Sequence, residues 1–166
     1  MQIVEIAAGI WENAPVWVWP LLLLLLALGL LSTRTRRSPI ALMVLLPLLG
    51  LLSVNAILGL PQASFALLPA FGGYALGTVW AFRRQKRWIL GFERGFVRLR
   101  GEWLTLITLM LVFWSNFTAG VAEAIGGDIY QSPLFSVLFA LIIASVSGTF
   151  LGRTARVLWA WRGERG

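Results

Sequence analysis

The sequence predicts an all-α membrane protein: five transmembrane helices in one bundle, with the N-terminus outside and the C-terminus cytoplasmic. Two observations predict this. Of the 166 residues 58% are hydrophobic, with mean hydropathy +0.81, which leaves a soluble domain no polar coat. All fourteen Lys and Arg residues also fall into three segments, Arg34–Arg37, Arg83–Arg100 and Arg153–Arg165. The apolar runs between them are free of basic residues, and one threading places every positive charge on one side.

The first run, Pro15–Leu31, opens with the interfacial pair Trp17 and Trp19 and holds Pro20 in its first turn, where a missing N–H costs little. Arg34, Arg36 and Arg37 stop it. The second run, Pro39–Leu60, carries Pro39 near its first turn, and Pro47 in its interior predicts a kink. A short uncharged link, Pro61–Ser64, makes the third run, Phe65–Phe82, its antiparallel neighbour. The fourth run is Trp103–Val121 and the fifth is Pro133–Gly152. Each is about 17 to 22 residues long, enough at ~1.5 Å per residue for a hydrocarbon core of ~30 Å. The whole chain, 1–166, is then a single five-helix domain.

Three further segments flank these runs. Ile3, Ile6, Ala7 and Ile10, followed by Trp11, have the spacing of a short amphipathic interfacial helix. The N-terminal stretch has no basic n-region, so it does not read as a signal peptide. Trp88–Trp103 is too charged to cross. Its alternating Val97, Arg98, Leu99 and Arg100 predict a small amphipathic hairpin turning at Glu93–Gly95, and a bent surface helix is the alternative. The tail RTARVLWAWRGERG reads as a helix continuing to the interface.

Composition narrows the function classes. The net charge of +7 sits at helix ends and serves orientation and anionic head groups; no nucleic-acid partner is expected. Cysteine and histidine are both absent, which removes disulfide and thiolate chemistry and the commonest haem and zinc ligand. No cofactor, metal or catalytic residue is assigned. The serines and threonines lack a His or paired Lys base, and the runs contain no ionisable residue of the kind that marks proton relays.

The polar residues inside the runs are the candidate intramembrane cluster. Asn55 and Asn116 lie at roughly 24 and 20 Å along helices two and four, with Ser53, Ser115 and Tyr74 near that level. A buried amide needs partners, so the two asparagines either bond across helices or line a small polar cavity. Gly73 with Gly77, and Ala144 with Gly148 and Gly152, form small-residue faces suited to helix contact within the bundle. Arg83, Arg84, Lys86 and Arg87 are candidate contacts for lipid head groups. Glu93 and Glu102 are the loop carboxylates that an interfacial enzyme would need, and neither has an evident partner in sequence.

The start APVWVW, the helix opening RRSPIALMVLLPLL and the stretch FVRLRGEWLTLITLMLVFWSNF resemble a family of small bacterial inner-membrane proteins defined by a domain of unknown function. Gly101, Glu102 and Trp103 correspond to a Gly-x-Trp that precedes a helix with an aromatic midpoint, here Phe113 and Trp114. The resemblance implies a multi-pass protein of the bacterial plasma membrane and carries over no catalytic residue. Small fluoride channels match in size but not in charge bias. Membrane lipids, and a second copy or a membrane-complex partner, are the expected contacts. The leading functional expectation is a non-catalytic structural or accessory component. A small channel or carrier for an uncharged or weakly charged solute is the alternative, and a lipid-handling enzyme at the cytoplasmic interface is the third.

Overall fold

The structure, a computed structural model, describes residues 15–93, 95–125 and 128–163. The expected interfacial helix around Ile3–Trp11 lies outside them. The chain runs α1 (Val18–Ser32), β1 (Arg36–Pro39), α2 (Ile40–Leu45), a 3-10 turn (Leu46–Leu48), α3 (Leu49–Leu58), α4 (Ala63–Gln85), β2 (Ile89–Glu93), β3 (Phe96–Leu99), α5 (Leu104–Ile125), α6 (Asp128–Gln131) and α7 (Pro133–Gly163). It is mostly helical. Among the described residues three helices, α4, α5 and α7, are long and apolar enough to cross a membrane; α1 is apolar but shorter, at 15 residues.

The second predicted run is divided. Pro47 sits in the 3-10 turn between α2 and α3, where the expected kink falls. Proline has no N–H, so the carbonyl four residues earlier, that of Met43, loses its helical donor. Thr154 Oγ on α7 donates to that carbonyl at 2.6 Å. The break is therefore repaired from another helix.

The helices alternate in direction. Ser32 and Gly29 near the end of α1 meet Glu102 and Leu106 at the start of α5, so α1 and α5 are antiparallel. Ser53 and Met43 meet Ser147 and Thr154, which makes α2–α3 antiparallel to α7. α4 and α7 run parallel: Gly73 and Gly77 face Leu141 and Ser145, while Gly148 and Gly152 face Tyr74 and Thr78. A Cβ on Gly77, Gly148 or Gly152 would overlap a backbone carbonyl of the other helix. This is the small-residue contact within the bundle that the spacing predicts. Thr78 Oγ, at the same seam, lies within hydrogen-bonding distance of the carbonyls of Tyr74 (2.8 Å) and Gly148 (3.1 Å).

One end carries a three-stranded antiparallel sheet, in the order β1-β3-β2. The β2–β3 hairpin is the predicted one, and Gly95 in its turn takes φ +88°, a conformation that favours glycine. The third strand corrects two expectations. Arg36–Pro39 pairs with Phe96–Leu99 as an edge strand, so this segment is more than a charged stop. Pro39 ends that strand instead of opening the following helix, as suits a residue without a ladder donor at an edge. Val97 and Leu99 point inward, where Ile40, Met43 and Val157 complete a core with Leu158 and Trp161 packed on it. The far end of α7, the predicted helical tail, thus covers one face of the sheet. A second core, with Ile57, Ala66, Phe139 and Ile143, fills the other end of the bundle.

Candidate functional site

The most polar buried cluster lies where the sheet meets the bundle. It is assembled from four separate stretches. Gly101 passes so close beneath the Thr33 carbonyl that a Cβ there would overlap it. One residue on, the N–H of Glu102 donates to the carbonyl of Ser32 at 3.0 Å. Ser32 Oγ in turn bonds the Gly29 carbonyl at 2.6 Å. These contacts fix the backbone of Glu102 against the end of α1 and aim its carboxylate into the bundle.

There it meets Arg153 of α7. The guanidinium pairs with Glu102 Oε1, donates from Nε to Gln85 Oε1 at 3.1 Å, and donates from Nη1 to Thr105 Oγ at 3.0 Å. Thr105 Oγ donates to Glu102 Oε1 at 3.1 Å. Arg153 is 2% exposed, Glu102 7% and Gln85 0%, so the pair is fully inside the protein. Gln85 Nε2 and Glu102 Oε2 are buried with no hydrogen-bond partner among the described residues. Water screens such a pair little, and removing one partner strands a buried charge. The cluster ties the ends of α1 and α4, the start of α5 and α7 into one unit.

Neither Arg153 nor Gln85 stood out in the sequence. Arg153 looks like the first residue of a basic tail, and Glu102 like a loop carboxylate without a partner. The one sequence signal is position: Arg153 directly follows the small-residue face that ends in Gly152, so the close approach of α4 and α7 carries it inward. Glu93, the other loop carboxylate, lies at 3.4 Å from both Arg37 and Arg98 on the outer face of the sheet. It screens two arginines that the strand register places opposite each other.

The predicted intramembrane cluster is only partly brought together. Ser53 and Tyr74 line a groove of about 260 Å³ between α3, α4 and α7, with Gly50, Ile57, Phe71 and Ser147 among its other walls. Ser53 and Ser147 are hydrogen-bonded to each other at 2.6 Å, and the walls are otherwise almost wholly apolar. Asn55 and Asn116 do not bond each other. Both are exposed on helix faces, and Asn116 Nδ2 donates to its own helix at the Val112 carbonyl, 2.8 Å away. Ser115, half-buried on α5, does not join the groove. The two asparagines are not brought together because α5 packs chiefly on α1 and α7. Helical rise fixes depth along an axis but not which helices are neighbours.

Arg83, Arg84, Lys86 and Arg87 are all exposed at the end of α4, with the Arg84 guanidinium 5.4 Å over the Trp80 ring. Trp114, half exposed, packs edge-on against Phe113 and Phe117 on its own helix. Among the described residues no group of three acidic, His or Cys side chains is placed to hold a metal.

The fold and this cluster define a helical membrane protein whose buried charges are neutralised internally. No family model, no curated protein and no solved structure matches the chain.

Proposed function

We propose that this chain is a five-span integral protein of the bacterial plasma membrane, N-terminus outside and C-terminus cytoplasmic, acting as a non-catalytic structural or accessory component. One observation carries the topology. The described parts of the three basic segments converge at one end of the bundle: β1 pairs with β3, and the far end of α7 packs against β3. The alternating helix directions are those that five crossings require. The second crossing is the divided α2–α3 unit, whose Pro47 break is closed by Thr154.

The accessory role is supported by where polarity goes. Arg153 pairs with Glu102, Ser53 bonds Ser147, and Asn116 bonds its own backbone. A solute path needs polar groups left facing a shared space. The groove at Ser53 and Tyr74 has apolar walls, which favours packing over conduction.

The test has two arms. Purification in mild detergent is expected to recover a stoichiometric membrane partner or a defined homo-oligomer. In liposomes the protein is expected to add no glycerol flux. Flux that disappears in Ser53→Leu and Tyr74→Leu variants, with the fold intact, overturns this role in favour of a channel.

A further inference from the structure

Arg156 lies one turn beyond Arg153 on α7, and its surroundings are unlike those of the other basic residues. Its guanidinium carbon sits 4.4 Å over the ring of Trp159 and 5.4 Å over the ring of Phe82, which comes from the end of α4. The two rings are tilted by 59° with centroids 6.5 Å apart, so they hold the cation from two helices. Its Nε is buried and, among the described residues, has no hydrogen-bond partner. The two described carboxylates of the segment between α4 and α5 are committed elsewhere: Glu102 to Arg153, Glu93 to Arg37 and Arg98. Among the described residues no acid pairs with Arg156.

We propose that Arg156, clamped by Phe82 and Trp159, anchors a binding site for the phosphate of an anionic phospholipid head group. A guanidinium confined between two aromatic rings offers several N–H donors to phosphate oxygens, unlike the point charge of a free lysine. Trp159 is 62% exposed, and an exposed tryptophan at a helix end is the side chain that settles at head-group depth. The basic run Arg83, Arg84, Lys86 and Arg87, which follows Phe82, adds a positive field that selects anionic over zwitterionic head groups. A lipid, and not free phosphate, fits because the apolar stretches of α4 and α7 lead directly to the clamp and offer the acyl chains a surface. The site rests on the proposal above that this end of the bundle lies at a membrane surface.

The full chain is purified with phosphatidylglycerol or phosphatidylcholine, and retained lipid is measured by native mass spectrometry. The wild type is expected to retain phosphatidylglycerol preferentially. Arg156→Gln should lower that retention on the order of fivefold, and Arg156→Lys should restore only part of it. Trp159→Ala, at an exposed position, should lower it in a chain whose fold is checked by circular dichroism. Arg84→Gln, outside the clamp, should lower it less than Arg156→Gln does. Unchanged retention in both Arg156→Gln and Trp159→Ala overturns the site, as does an equal loss in Arg84→Gln, which would mean diffuse attraction. Displacement of the lipid by inorganic phosphate also overturns it. A C-terminal reporter found outside the cell sinks the topology itself, a result separable from lost lipid preference in a correctly inserted protein.

Discussion

Arg153 on α7 is ion-paired with Glu102, which lies 51 positions earlier in the segment that leads into α5. Both are buried, and the arginine also bonds Gln85 and Thr105. Removing either charge leaves the other in a medium that solvates it poorly. Glu102→Ala and Arg153→Ala are each expected to cost about 3–5 kcal/mol. The isosteric pair Glu102→Leu with Arg153→Met should cost less than either single change, because no charge is stranded. Unfolding in detergent followed by circular dichroism measures this. A double-variant loss equal to the sum of the two single losses would show that the pair is not coupled.

Thr154 and Pro47 form a second long-range pair, through the carbonyl of Met43. Thr154→Val keeps the shape of the side chain and removes the donor, so it should cost about 1–3 kcal/mol. In a Pro47→Ala background residue 47 regains an N–H for that carbonyl, and the same change should cost much less. The measurement is a double-mutant cycle on thermal stability. A Thr154→Val penalty that is identical in both backgrounds contradicts the repair.

The seam between α4 and α7 depends on absent side chains. Gly77→Val and Gly148→Val each place a branched carbon against a facing carbonyl, with no flexible neighbour to yield. The cost is expected to be at least about 1–3 kcal/mol, with loss of the cooperative transition in the double variant. Gly72→Ala has open space around it and serves as the control, with little change expected. A loss for Gly72→Ala as large as that for Gly77→Val would mean that the facing carbonyl is not what excludes a side chain at Gly77.

Much of the architecture was legible because it is local. Apolar runs, the Pro47 break, the hairpin that turns at Gly95 and the small-residue faces of α4 and α7 are all written in neighbouring residues. The candidate site was less legible. Ser53 and Tyr74 do share a groove, but Asn55 and Asn116 stand on exposed faces. Arg153, Gln85, Thr105 and Thr154 carry no local signal, since each acts through a residue far along the chain.

The sequence by itself determined which stretches are apolar and which ends are basic, because transfer free energy and charge belong to each residue alone. Only the tertiary structure decided that β1 joins the hairpin, that α4 runs parallel to α7, and that Arg153 turns inward to Glu102. Those outcomes depend on which surfaces meet. The close approach of Gly77 to Ser145, and of Gly101 to Thr33, selects the neighbours and thereby the environment of every polar group between them.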